Sequence, residues 1–349
     1  PLSDGPAELA VHLDGSPLVR ELFLDLDGDG LRRWHTLLVA TGTIVQQRTS
    51  CLFVMDISDP YHPELLWEKT LPGNAVGRTR GVALGRCGGD SFDSDCLYLT
   101  ADYAQTGETG IHALALELAT GQRLWQFSAP YHASGPIAEA TPAVPALMDA
   151  DGDGGRDTLV FGDLIGRLWA VSLEAGHALG DAPLFVVPGG AREPIGAGVT
   201  VLGATVFFGT GGVESAETDI RYAVYAVDFQ AGEARLRWRY PLEMGEKLWE
   251  KPVVDASGSL LFGTAVDYLS LARAEERLTS GRIVSIDRDG VEDLSRDTEA
   301  ATLGRIVTAP GIAVSVALNG EVTQFGTASR QTDPALGPGS VKVLSWRQR

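Results

Sequence analysis

Short stretches in which apolar and polar residues alternate run through the chain, as in TVFFGTGG (205–212), GSLLFGTAV (258–266) and DTLVFGDLIGRLWAV (157–171). They are rich in β-branched and aromatic residues and bounded by Gly or Pro. A period of two in such short runs predicts strands joined by tight turns, because successive strand side chains point to opposite faces. One segment departs from this pattern: YLSLARAEERL (268–278) reads as a helix inserted near the fifth of the repeats described next.

The runs are themselves periodic. An apolar run ending at an acidic or small polar residue, then a turn, then in several cases an aromatic, recurs as LFVMDISDP…LLW (Asp56, Trp67), LALELATGQRLWQF (Glu117, Trp125), LWAVSLEAG (Ser172), VYAVDFQAGEARLRW (Asp228, Trp238), IVSIDRDG (Asp287) and VKVLSW (Ser345). The anchors at 56, 117, 172, 228, 287 and 345 stand 55 to 61 residues apart. Four strands of about five or six residues and their turns fill such an interval. A four-stranded sheet repeated at a fixed period is the signature of a β-propeller blade. The expectation is an all-β chain of six blade-like repeats, with 1–349 as a single propeller domain. A pair of β-sandwiches would account for the strands but not for the period.

Composition fits a folded, turn-rich chain: 44% of the 349 residues are hydrophobic, with 42 glycines and 18 prolines. The formal net charge of −18, from 28 basic and 46 acidic residues, repels phosphate backbones and anionic lipid, which argues against nucleic acid as a partner. No apolar stretch of about 18 residues predicts a membrane-spanning helix. The start, PLSDGPAEL, has neither the basic nor the apolar region of a secretory signal, so the chain is either cytosolic or an interior piece of a longer protein. Of three cysteines, Cys87 and Cys96 bracket a polar turn between RGVALGR and LYLTADY. They either close the neck of a hairpin as a disulfide or remain two thiols. Cys51, alone in CLFVMDI, reads as a small buried hydrophobe.

Candidate chemistry concentrates in DADGDGGRD (149–157). Four carboxylates within nine positions repel one another and raise one another's pKa unless something neutralises them. Ca²⁺ takes about six to eight oxygen ligands, and a D-x-D-x-D-G loop offers them at alternate positions. Counting from Asp149, Asp151 is position 3, Asp153 position 5, the Gly155 carbonyl position 7 and Asp157 position 9, with Gly154 at the bend. The order resembles the first nine positions of an EF-hand loop, but position 12 is Phe161, so Asp157 must supply the closing carboxylate. An oxygen-only set disfavours zinc, and Mg²⁺, which prefers a stiffer octahedron, ranks second. A solvated acidic turn that binds nothing is the bland alternative. DLDGDGLRR (25–33) repeats Asp25, Asp27 and Asp29 but has Arg33 at position 9, so it is either a weak second site or a plain polar turn.

Other chemistry has no visible carrier. There is no G-x-S-x-G, and the six histidines (His12, His35, His62, His112, His132, His177) fall at no metal-ligand spacing. FFGTGGVES has a G-x-G but no helix pattern after it, against a dinucleotide site. Trp67, Trp125, Trp169, Trp238 and Trp249 could line a sugar site, but packing between neighbouring sheets is the favoured reading. RLRWRY (235–240) reads as one strand with a solvated basic face.

With these motifs in hand, the chain resembles the C-terminal domain of the PilY family, adhesins associated with the tips of bacterial type IV pili. HLDGSPLV (12–19), WHTLLVATG (34–42), LFVMDISDP (52–60), DADGDGGRDTLVFGDLIGRLWAV (149–171) and FFGTGG (207–212) follow in that family's order. The most specific part is the acidic loop running into GDLIGRLWAV. The resemblance implies a propeller domain of a longer, secreted protein, exposed at the pilus tip or outer cell surface after passing through the periplasm, with minor pilins and a host or abiotic surface as partners. It implies calcium on Asp149, Asp151, Asp153, the Gly155 carbonyl and Asp157, tied to control of pilus extension against retraction and so to twitching motility and adhesion. A seventh, upstream blade is a feature of the relatives. The 25–33 loop and the Cys87–Cys96 loop have no match in it.

The leading reading is therefore a calcium-binding propeller without enzymatic activity. The competitors are a quinoprotein-like propeller enzyme, which needs a base beside its cofactor and a tryptophan-docking repeat in most blades, and a sugar-binding propeller. The repeat endings vary too much to predict such docking.

Overall fold

The computed structural model describes residues 11–26, 28–44, 49–70, 79, 81–88, 94–105, 108–131, 143–180, 182–213, 219–230, 232–265, 281–298, 306–309, 312–316 and 322–325. Six antiparallel sheets follow one another in chain order. The first joins β1 (Val11–Leu24), β2 (Arg33–Ile44), β3 (Thr49–Asp56) and β4 (Glu64–Thr70), and the second β5 (Val82–Arg86), β6 (Asp95–Gln105), β7 (Glu108–Glu117) and β8 (Arg123–Tyr131). The third holds β9 (Ala146–Met148), β10 (Thr158–Gly162), β11 (Arg167–Ser172) and β12 (Phe185–Val186), and the fourth β13 (Thr200–Leu202), β14 (Thr205–Gly209), β15 (Ala223–Gln230) and β16 (Glu233–Pro241). In the fifth, β17 (Lys247–Leu248) and β18 (Val253–Val254) both pair with β19 (Leu260–Ala265), followed by β20 (Gly281–Ile286) and β21 (Glu292–Thr298). The sixth comprises β22 (Val307–Ala309), β23 (Ile312–Val316) and β24 (Val322–Phe325). The one helical piece among the described residues is a 3₁₀ turn at Gly190–Arg192. The helix expected at 268–278 and the anchor at Ser345 lie outside the described residues.

Each sheet is a meander, and from the second sheet to the fifth the strands that lead into each touch: β5 meets β9, β9 meets β13, and β13 meets β18, which pairs with β19 beside β17. The first strands therefore stand around a common axis with the fourth strands at the rim, which is the β-propeller that the period predicts. A sheet between two others needs apolar side chains on both faces. In β10, Phe161 meets Phe127 of the second sheet, 6.2 Å between ring centres, while Val160 packs with Val206, Phe208 and Tyr225 of the fourth. Every residue of β10 and β14 is buried as a result. The first sheet packs Leu37, Val39, Leu52 and Val54 against Leu97, Leu99 and Leu114 of the second. Strand alternation turns Phe23 and Trp34 to the opposite face, where they are 48% and 71% exposed.

In four sheets the pairing of third and fourth strands slips at a corresponding place: Val54/Met55, Ala115/Leu116, Ala226/Val227 and Ser285/Ile286. Such a bulge bends the strand and re-aims the neighbouring side chain. In three of the four that side chain is Trp67, Trp125 or Trp238. Their indole N–H groups donate to the carbonyls of Leu118, Leu173 and Arg288 on the following sheet at 2.8, 2.8 and 3.1 Å. Their rings lie on Gly121, Gly176 and Gly290, where an added Cβ would come within 2.9, 2.6 and 2.7 Å of the indole. Among the described residues three of the six sheets thus dock a tryptophan on the next, although their endings differ in length. The bulge, rather than the number of residues after the anchor, decides where each indole points. Trp169 and Trp249 are buried as well, at 9% and 6% exposure.

Candidate metal centre

The acidic hairpin links β9 to β10 at the edge of the third sheet. Asp149 holds it closed: its Oδ1 accepts the N–H of Gly152 at 2.7 Å and its Oδ2 that of Gly154 at 2.9 Å. Gly152 and Gly154 have φ of 79° and 98°, the left-handed region that L side chains avoid. Asp151 and Asp153 each cap the backbone two residues on, accepting from the N–H of Asp153 at 3.1 Å and of Gly155 at 2.7 Å. This bending folds alternate carboxylates onto one side of the loop.

One ligand oxygen from each of Asp149, Asp151 and Asp153 lies within 4.8 Å of the others. Oxygens on opposite sides of one Ca²⁺ sit about 5 Å apart, given Ca–O distances of about 2.3–2.6 Å, so the set fits a single hard cation. Asp157 is not in that cluster; its Oδ1 accepts the Ala150 N–H at 3.0 Å, across the neck of the loop. The N–H of Gly155 is bonded within the loop to Asp153. The Asp153 N–H lowers the Asp151 carboxyl, but slight desolvation and the carboxylates of Asp153, Asp157 and Asp149 together carry it above the ordinary value. Like charges are thus held close with no cationic side chain bonded to any of them among the described residues.

The hairpin between β1 and β2 has the same start. Asp25 accepts from the N–H groups of Gly28 and Gly30, both at 2.8 Å, and Gly28 and Gly30 again have positive φ, 68° and 81°. Asp27 lies outside the described residues. At position nine the Arg33 guanidinium donates to both oxygens of Asp29, at 2.7 and 3.3 Å. A built-in cation sits where the other loop has a carboxylate. Between these two sheets, the equivalent hairpin of the second is closed by a disulfide from Cys87 to Cys96, with Cα atoms 4.9 Å apart. Cys51 is buried on β3.

Two features escaped the sequence reading. The β18–β19 hairpin repeats the loop with a single carboxylate: Asp255 accepts from the N–H groups of Ser257 and Ser259 at 2.8 and 3.0 Å. Asp163, fully buried, accepts from Arg167 Nε at 2.5 Å and Trp169 Nε1 at 2.9 Å, besides the backbone N–H groups of Ile165 and Arg167. It organises the β10–β11 turn, and the Asp–Arg spacing of four in GDLIGR was its signal in the sequence.

Fold and loop together define a multibladed propeller with an acidic hairpin whose three clustered carboxylates are spaced to fit one metal ion. No protein-family model matches the chain. Among curated proteins it is similar to the type IV pilus biogenesis factor PilY1 of Pseudomonas aeruginosa, in strains PAO1 and PAK, 29% identical over 186 residues. That stretch is 49% of this chain and 14% of the relative, so the similarity reaches only a small part of PilY1's length, and it agrees with the PilY-like order of the motifs. Solved structures with a similar course include the quinohemoprotein alcohol dehydrogenase of Comamonas testosteroni, at TM-score 0.45 and 17% identity over 74% of this chain and 45% of that one. BamB from Moraxella catarrhalis is similar at TM-score 0.35 and 12% identity, over 91% of this chain and all of that one. The architecture rests on strand order and not on these likenesses.

Proposed function

We propose that this chain is a calcium-binding propeller module of a type IV pilus biogenesis factor, working by recognition and not by catalysis. The similarity to PilY1 supports the link to pili, and the convergence of Asp149, Asp151 and Asp153 on one point is the observation that carries the ion. When bound, Ca²⁺ neutralises the loop and ties its two ends together, with Asp149, Asp151, Asp153, the Gly155 carbonyl and Asp157 as the donors. The module acts at the pilus tip or outer cell surface, beside minor pilins, in extension against retraction, twitching motility and adhesion. No helix among the described residues is long and apolar enough to cross a membrane.

Calorimetric titration of calcium into wild type, Asp151→Ala and Asp157→Ala tests the loop. Each variant should lose at least about tenfold in affinity, since ligand charge sets affinity in such loops. Unchanged binding in both removes the hairpin from the account. In the full-length parent, Asp157→Ala should impair twitching, and normal motility would leave the ion a structural staple. The tryptophan docking between sheets also suits a quinoprotein enzyme; a quinone absorbance in purified protein would favour that reading instead.

A further inference from the structure

The acidic hairpin does not end within its own sheet. Asp157, its last member, has its backbone pinned twice: its N–H donates to the Met148 carbonyl at 3.1 Å, and its carbonyl accepts the Leu173 N–H at 2.8 Å. Leu173 opens the turn after β11 and is 1% exposed. Its own carbonyl accepts the indole N–H of Trp125, which reaches across from β8 of the second sheet. The ring is wedged between Gly176 of that turn and Tyr98, whose ring centre lies 5.9 Å away. Tyr98 in turn donates to the Arg86 carbonyl at 2.6 Å, beside the Cys87 bridge.

We infer that Trp125 is a positioning residue for the acidic hairpin, so that ion binding and the junction between second and third sheets are coupled. The inference rests on the calcium reading above. Its physical basis is the tolerance of the site. Calcium needs its oxygens within a few tenths of an ångström of about 2.4 Å, and the height of Asp157 over the loop is set by the Leu173 turn that Trp125 holds down. Coupling is reciprocal: if the seated indole favours the ion, the ion favours the seated indole by the same factor. The other two docked tryptophans lead elsewhere. Trp67 bonds Leu118, whose N–H goes to Asp95 in the second sheet, and Trp238 bonds Arg288 in the fifth.

The test compares Trp125→Phe, which keeps a ring but loses the donor, with Trp238→Phe as the same lesion at a junction remote from the loop. Both should lower the melting temperature. By calorimetry with calcium chloride alone, Trp125→Phe should bind about fivefold more weakly, the low end of coupling between linked sites, and Trp238→Phe within about twofold of wild type. Calcium should shift indole emission in wild type and Trp238→Phe but not in Trp125→Phe. If Trp125→Phe does not fold, Gly176→Ala, which pushes the ring off its seat from below, is read in the same way. Wild-type affinity in Trp125→Phe, or equal weakening in Trp238→Phe, overturns the coupling and leaves the calcium site standing. A wild type that binds no calcium sinks both.

Discussion

Position nine of two similar hairpins carries opposite charges, and the consequences show in the carboxyls around it. Beside Arg33, the Asp29 carboxyl is held below its ordinary value, first by the guanidinium and then by the Leu31 N–H. Asp151, ringed by carboxylates, is raised. In the first loop the Arg33 guanidinium already meets the Asp29 carboxylate. Replacing that cation should create the missing demand: Arg33→Asp restores the fourth carboxylate, and calorimetric stoichiometry should rise by one calcium per chain. An unchanged stoichiometry would mean that the shape of the 25–33 hairpin, and not its charge, excludes the ion. Both loops were legible in the sequence because the side-chain hydrogen bonds that close them span at most seven positions. That Arg33 folds back onto Asp29 is equally local, an i,i+4 pair, but spacing alone does not say whether an arginine turns inward or out to water.

Among strands and turns, the contact that joins one blade to the next depends on a glycine. Gly176 has φ of 66° and stands against the Trp125 ring, whereas Gly232, with φ of 83°, occupies the corresponding turn of the fourth sheet and an added Cβ there meets nothing within 4 Å. Both substitutions to Ala pay for the left-handed backbone, about 1 kcal/mol, but only Gly176→Ala also displaces the indole. Chemical denaturation should show Gly176→Ala losing at least about 1–2 kcal/mol more than Gly232→Ala; equal losses would mean that the ring shifts without cost. In the second sheet His112 stacks on Tyr103, 3.9 Å between ring centres, and its Nδ1 bonds Ser128 at 2.9 Å. Burial, with a smaller push from Arg123, lowers its pKa to about 4. The unfolded chain therefore takes up this proton near pH 6.5 while the folded one resists it, so stability should fall as pH drops from about 6.5 to about 4, by roughly 1–3 kcal/mol. An NMR titration placing His112 near 6.5 would remove that contribution.

Across the whole molecule, 46 acidic residues against 28 basic ones make the folded ring self-repelling. On the proposed calcium reading, a divalent ion held by the folded loop alone would relieve part of this. At about a hundredfold excess over its dissociation constant it adds about 2.7 kcal/mol. Scanning calorimetry in calcium should show wild type melting a few degrees higher than in chelator, and Asp157→Ala melting alike in both. Equal melting of wild type in the two conditions would count against a structural ion.

Strand existence, the repeat of about 57 residues and the carboxylate spacing of the loops were determined by the sequence alone. Each depends on neighbours a few positions apart: the two-residue alternation of β structure, the glycines that permit a bend, the pitch of a D-x-D-x-D-G turn. Which face of each apolar run meets which sheet was decided only in three dimensions, since β10 and β14 are apolar on both faces and their order around the axis is a matter of packing. The bulges that aim Trp67, Trp125 and Trp238 belong there too. A tryptophan eight, ten or eleven residues after its anchor looks irregular along the chain, yet the slip in pairing delivers all three to equivalent turns on the next sheet.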